Sequence, residues 1–253
     1  MVRRSRGADR PSLTARGYRA IGQLLAEAQR NGRRTLTEPE SKAILKLAGI
    51  PVAREQLARN AAEAVEAAEA LGFPVVLKVV SPDIPYKSDA GGVRLSLESP
   101  GAVRRAFRET LDSVAVRCPG APVEGMLVQE ALRGLEAIAG SMTDPQFGPV
   151  LLFGLGGIFV EALRDVSFRI IPMTPAEARR MLAGIRGARL LHGFRGSPPV
   201  DQDRLAGILV RLSALAGHFR ESIREIDVNP LVVTTHTGIA VDGLITFHEG
   251  RPV

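Results

Sequence analysis

The sequence is poor in cysteine, in lysine and in long apolar runs, and each shortage excludes something. One cysteine, Cys118, in 253 residues rules out an internal disulfide and a cysteine-based metal cluster. No segment approaches the ~20 apolar residues of a membrane span. The Arg-rich beginning is followed by no apolar stretch, so no secretory signal is expected, and a cytoplasmic location is. The four histidines (His192, His218, His236, His248) show no metal-ligand spacing, and none has a nearby serine or cysteine that suggests a triad. They are read as structural or surface residues. Lysine occurs only at 42, 46, 78 and 87, against 29 arginines.

What is present is ordinary for a globular protein: 45% hydrophobic and 24% charged residues, enough length for one or two domains. The net charge of +6 is unevenly placed. Residues 1–34 hold nine arginines against Asp9 and Glu27, a net of +7, which leaves −1 for the rest. The basic character therefore belongs to an N-terminal arm. Only Tyr18 supplies an aromatic there, so a solvated or partner-binding extension is favoured over a nucleic-acid surface.

Ser12 is read as the cap of a helix reaching Asn31. A second helix is predicted over 37-TEPESKAILKLAG-49, with Thr37 as cap, Glu40 three residues on and Gly49 closing it. A short extended piece follows in 50–58 and an Ala/Glu-rich helix in 60–72. The β-branched run 73-FPVVLKVV-80 reads as a buried strand carrying one charge, Lys78, which needs a counter-charge or a ligand. Further strands are expected over 93–98, 126–132, 135–142, 149–156, 168–173, 226–234 and 239–247. Helices are expected from Ser99-Pro100 to Val116 and over 175–191 and 201–220. This alternation predicts an α/β or α+β chain in two packed lobes. The boundary is expected near 119–125, giving an arm and helix (1–34), an N-terminal lobe (35–122) and a C-terminal lobe (123–253).

Four clusters bear on chemistry. In 78-KVVSPDIPYKSDAGGV-93, Lys78 precedes a loop with Ser88, Gly91 and Gly92. Glycines let backbone N–H groups approach phosphate oxygens, although a Gly-Gly pair between strands is also an ordinary turn. There is no Walker A sequence. In 128-VQEALRGLE-136, the carboxylate and amide groups suit an adenine amino group and ribose hydroxyls, or simply end a strand. The segment 154-GLGGIFVE-161 lacks both the GxGxxG spacing and the following helix of a dinucleotide fingerprint. Gly156-Gly157 is read instead as a tight turn bringing Glu161 near a cleft. Finally, 225-EIDVNP-230 and 239-IAVDG-243 each carry a hard oxygen donor, Asn229 and Asp242. Mg²⁺ favours one or two such donors together with phosphates. Asn-Pro and Asp-Gly are equally turn dipeptides.

Taken in order, these clusters resemble an ATP-grasp domain. More narrowly, they resemble the nucleotide-binding β subunit or domain of NDP-forming acyl-CoA synthetases. The segments that carry the likeness are 36-LTEPESKAILKLAGIPV-52, 72-GFPVVLKVVSPDI-84, 87-KSDAGGVRL-95, 128-VQEAL-132, 144-DPQFGPVLLFGLGGIFVEALRDVSFRIIPM-173, 190-LLHGFRG-196 and 225-EIDVNPL-231. The resemblance implies two α+β lobes gripping ATP or ADP with Mg²⁺. It places Lys78 on the phosphates, Ser88, Gly91 and Gly92 in a phosphate-covering loop, Gln129 and Glu130 at the adenine hinge, and Glu136 facing the nucleotide. Asn229 and Asp242 would hold Mg²⁺, and the triphosphate would be the counter-charge of Lys78.

The family reaction is acyl-CoA + NDP + phosphate ⇌ carboxylate + CoA + NTP. A phosphohistidine on a CoA-binding α partner carries the phosphoryl group. The resemblance therefore implies a hetero-oligomer and leaves the choice of acid to the partner. ADP-forming acetyl-CoA synthetases add a second histidine in a His-Lys-Ser-Asp-x-Gly-Gly loop. Here that loop reads 86-YKSDAGG-92, and Tyr86 stands at the histidine position. A phenol of pKa ~10 transfers phosphoryl groups poorly without an activating base. Two alternatives stay open beside the catalytic subunit: an ATP/ADP-binding regulatory module, and an ATP-grasp ligase joining a carboxylate to an amine.

Overall fold

The computed structural model describes residues 14–157, 165–194 and 198–248. Helix α1 (Ala15–Arg30) is capped by Thr14, whose hydroxyl accepts a hydrogen bond from the Gly17 amide at 3.1 Å. The expected cap, Ser12, lies outside the described residues. Helix α2 (Glu38–Leu47) starts as its sequence predicts: the Glu40 carboxylate accepts from both the amide and the hydroxyl of Thr37. It stops at Ala48, and Gly49 leaves it with φ of +76°.

The smaller lobe is a four-stranded antiparallel sheet in the order β1-β4-β2-β3. Its strands are β1 (Glu55–Ala58), β2 (Val75–Val80), β3 (Val93–Leu97) and β4 (Gly125–Glu130). Helices α3 (Ala61–Leu71) and α4 (Pro100–Arg117) supply Ala64, Ala68, Val103 and Phe107 to one hydrophobic cluster. Val75, Leu77 and Val79 of β2 and Met126 and Val128 of β4 meet them there. Alternation along a strand then turns Lys78 and Gln129 to the opposite face, away from the helices. This is what aims a lysine from an apolar strand at the second lobe.

The larger sheet runs β10-β8-β5-β6-β7, with β9 added to β8. It is built from β5 (Leu135–Asp144), β6 (Gly148–Leu155), β7 (Val166–Ile170), β8 (Ile223–Val233), β9 (Gly238–Ala240) and β10 (Leu244–Phe247). Phe153, Leu155, Leu231 and Ile245 pack with Met181 of α5 (Pro175–Ala183) and with Leu209 and Leu212 of α6 (Gln202–His218). The same core contains Ile21 and Leu25 of α1 and Ile44 and Leu45 of α2.

The lobes are thus not consecutive halves. A cut at 122/123 would remove β4, which lies between β1 and β2 at the middle of the small sheet. The small lobe spans about residues 51–130, and the chain before it belongs to the large core. Two further expectations are corrected. The helix expected over 175–191 ends at Ala183, and a 3-10 turn (Arg186–His192) follows. Asp165 anchors that turn, accepting from the amides of Arg186 at 2.7 Å and Gly187 at 2.6 Å. The last strand, expected over 239–247, is interrupted at residues 241–243, so Asp242 sits in a break between β9 and β10.

Candidate functional site

Three of the four lysines converge where the lobes meet. Glu38, the first residue of α2, has a side chain only 1% exposed and lies among them. Its Oε1 accepts from Lys42 Nζ at 2.6 Å and from Lys78 Nζ at 2.8 Å, and its Oε2 lies 3.0 Å from Lys87 Nζ. Lys78 also donates to the Val241 carbonyl at 3.0 Å and lies 3.5 Å from Asp242 Oδ2. Lys87 straddles the two Asp242 oxygens at 3.3 and 3.5 Å. Behind them, Lys42 pairs with Glu55. Gln129 Nε2 donates to Glu55 at 2.8 Å and to the Val241 carbonyl at 2.9 Å.

Three ammoniums thus face three carboxylates (Glu38, Glu55, Asp242), as buried charges require. Burial alone would raise the Glu38 carboxyl. Lys78, Lys42 and Lys87 outweigh it and hold the group at about 2. Lys87 is likewise resisted by burial but raised by Glu38 and then by Asp242. The counter-charge of Lys78 in this structure is therefore Glu38, with no triphosphate required, which corrects the earlier expectation. Glu38, Lys42 and Glu55 were not anticipated. Glu38 and Lys42 are spaced i, i+4, which in sequence looks like any exposed helix pair.

A cavity of about 300 Å³ opens beside this cluster. Tyr86, Lys87, Ser88, Asp227, Asn229 and Asp242 line it. The structure therefore brings together Tyr86, Ser88 and the donor pair Asn229 and Asp242 from three separate sequence readings, with Lys78 within reach of Asp242. Asp227 was missed, although the spacing of Glu225, Asp227 and Asn229 along β8 puts all three on one strand face. Burial first, then Glu225 and Asp242, push its carboxyl up to about 6.

The donors suit Mg²⁺: they are hard oxygens of carboxylate and amide type, lining one cavity. Among the described residues no group of three or more His, Cys, Asp or Glu forms a metal cage. A cation held here would share its shell with ligand oxygens, which is the habit of Mg²⁺ on phosphates.

The sequence matches the ATP-grasp domain family over residues 27–247. It is 45% identical over 224 residues to the β subunit of acetate–CoA ligase (ADP-forming) I of Pyrococcus furiosus, covering 88% of this chain and 96% of that one. It is 41% identical to 4-hydroxybutyrate–CoA ligase (ADP-forming) of Nitrosopumilus maritimus, over 83% of this chain but 30% of that longer protein. Among solved structures it superposes with a TM-score of 0.77 on acetyl-coenzyme A synthetase 1 of Ca. Korarchaeum cryptofilum. The identity there is 41%, covering 90% of this chain and 100% of that one. That structure holds coenzyme A and Mg-AMPPCP, with a phosphohistidine segment pointing towards the nucleotide-binding site.

This chain belongs to the ATP-grasp family, among the β subunits of ADP-forming acetate–CoA ligases.

Several residues expected in the ATP-grasp site are differently engaged. The Gly91 and Gly92 amides donate to the Ser88 and Lys87 carbonyls, at 3.0 and 2.7 Å, so neither is free for a phosphate here. Gly92 is needed for packing: a Cβ there would lie 2.4 Å from Val79 Cγ1. The Gln129 side chain is fully buried in the lysine cluster. The Glu130 carboxylate accepts from the amide and guanidinium of Arg54, at 2.8 and 2.7 Å, and ties the two lobe crossings together. Glu136 is exposed beside Gly156 and Gly157, and its carbonyl accepts from the Gly156 amide at 2.7 Å. Glu161 lies outside the described residues. A larger cavity, about 700 Å³, is lined by Leu135, Leu190, Phe194 and Val200. Its lining shares no residue with that of the cavity beside the lysine cluster.

Proposed function

We propose that this chain is the nucleotide-binding subunit of an ADP-forming acyl-CoA synthetase. It passes a phosphoryl group between ATP/ADP and a phosphohistidine on a CoA-binding partner subunit. The observation that carries this reading is the convergence of Lys87, Asn229 and Asp242 on one cavity between two lobes, with Lys78 3.5 Å from Asp242 behind it. Lys78 and Lys87 supply positive charge for polyphosphate oxygens, and Glu38 fixes where that charge stands. Asn229 and Asp242 would hold Mg²⁺, which when bound neutralises phosphate charge. Since the Gly91 and Gly92 amides are engaged, the ammonium groups carry more of the anion binding than the loop backbone does. The acid is set on the partner, in a cytoplasmic hetero-oligomer.

Tyr86 is the departure. It is 70% exposed at the rim of the cavity, and its hydroxyl has no hydrogen-bond partner among the described residues. An unassisted phenol is a poor phosphoryl carrier near neutral pH. The partner's phosphohistidine therefore reaches the nucleotide directly. The same observation supports a second reading, an ATP/ADP-binding regulatory module that has lost relay chemistry.

Calorimetry with Mg·ADP comes first: binding by the wild-type chain, lost or weakened at least tenfold in Lys78→Ala, is the expected result. Unchanged affinity in that variant defeats the assignment of Lys78. With the CoA-binding partner added, acyl-CoA-dependent ATP formation supports the catalytic reading. If Tyr86→His creates a phosphoprotein while the wild type with partner turns over nothing, the regulatory reading holds instead.

A further inference from the structure

Asp242 carries two assignments that cannot hold together. Under the reading above it is a carboxylate for Mg²⁺, yet Lys87 Nζ already bridges both of its oxygens at 3.3 and 3.5 Å. That is the face a cation would take. The lysine is well fixed, since its side chain is only 12% exposed and its second partner, Glu38 Oε2, is 3.0 Å away. Lys78 is placed differently. It reaches only Asp242 Oδ2, at 3.5 Å, and is anchored elsewhere by Glu38 Oε1 and the Val241 carbonyl.

We propose that Lys87 and a divalent cation compete for Asp242, so that the site accepts its cation only with a polyphosphate that draws the Lys87 ammonium off the aspartate. The proposal rests on reading the cavity as the nucleotide site. A bare dication approaching Asp242 meets one ammonium on both oxygens and a second beside one of them, a repulsion that carries twice the charge of a monovalent ion. Driving Lys87 away unaided would leave a buried ammonium with Glu38 alone, which Lys42 and Lys78 already share. Phosphate oxygens remove both obstacles, because they offer Lys87 a new partner and bring ligands for the cation. Lys87 stands between Tyr86 and Ser88 on the cavity wall.

The test is Mn²⁺ titration of the whole chain, followed by the paramagnetic resonance of free Mn²⁺, with and without ADP. The Mn·ADP equilibrium in solution is subtracted. Wild type is expected to bind Mn²⁺ at least tenfold more tightly with ADP than without. Lys87→Met is expected to bind Mn²⁺ alone about tenfold more tightly than wild type, the direction that removing one like charge dictates. Lys87→Arg, which keeps the charge, is expected to stay with wild type. Equal Mn²⁺ affinity of wild type and Lys87→Met without nucleotide overturns the competition. If Lys87→Met does not melt as a folded protein, the wild-type pair decides: Mn²⁺ binding that ignores ADP overturns the proposal. Failure of ADP to bind at all is a different result. It defeats the nucleotide reading, while the metal titration of Lys87→Met against wild type still tests the competition for Asp242.

Discussion

Replacing Glu38 by glutamine tests the lysine cluster most directly. The side chain keeps its volume but loses the charge that Lys42, Lys78 and Lys87 share. The carboxyl sits at about 2, displaced from 4.5 by those three ammoniums against the opposing effect of burial. That displacement corresponds to about 3 kcal/mol in favour of the folded state at neutral pH. Glutamine also turns an amide NH₂ toward the ammoniums, so a loss of about 3–5 kcal/mol is expected, the range for removing one partner of a buried ion pair. The pH dependence has a definite sign. The folded carboxyl titrates below the unfolded one, so its contribution is complete above pH 4.5 and disappears as pH falls toward 2. Glu38→Gln has no such contribution to lose. Urea denaturation at pH 7, 5, 4 and 3 should show a gap between wild type and variant that is constant down to pH 5 and then closes. A gap under about 1 kcal/mol at pH 7, or one that persists unchanged to pH 3, would refute the account of how these charges are held.

Two further outcomes follow from contacts elsewhere. Asp165→Asn leaves one of two backbone amides at the 3-10 turn facing a donor, in a side chain only 6% exposed. It should cost about 1–3 kcal/mol in chemical denaturation, and a change within 0.5 kcal/mol would show that the turn stands without it. Gly92→Ala places a methyl 2.4 Å from Val79 Cγ1 and 3.0 Å from the Lys87 carbonyl. Overpacking of this kind costs about 1–3 kcal/mol. Because the loop must shift, Mg·ADP affinity measured by calorimetry should fall with stability, and an unaltered affinity would separate the loop from the site.

The sequence made the elements legible far better than their assembly. Runs such as 75–80 and 126–130 announce strands because β-branched and apolar residues cluster between turn formers. Nothing in the run 126–130 says that it inserts beside β2 in the small sheet. Sheet order is a long-range property, so the lobe boundary was misplaced. The helix expected over 175–191 failed at Gly184, where local propensity yielded to the Asp165 anchor, a partner distant in sequence. At the site, the rarity of lysine pointed to Lys78, and the oxygen donors Asn229 and Asp242 were visible as polar residues in apolar strands. Glu38 was not, because its burial comes from the small lobe folding over the first turn of α2. Tyr86 was identified only by comparison with the histidine of the resembling loop.

The discontinuous large lobe bears on how the protein is made. The Leu36 amide bonds the Ile245 carbonyl, and the Ala53 amide bonds the Ala240 carbonyl. Helices α1 and α2 therefore leave the ribosome long before β8 to β10, which share their core. The small lobe, by contrast, is contiguous from about 51 to 130 and can close on its own while synthesis continues. Long-range closure of this kind is slow and leaves the apolar face of α2 without β10 in the interim. A nascent chain stalled before β10 would leave α2 without the strand it packs against, with its small sheet already complete.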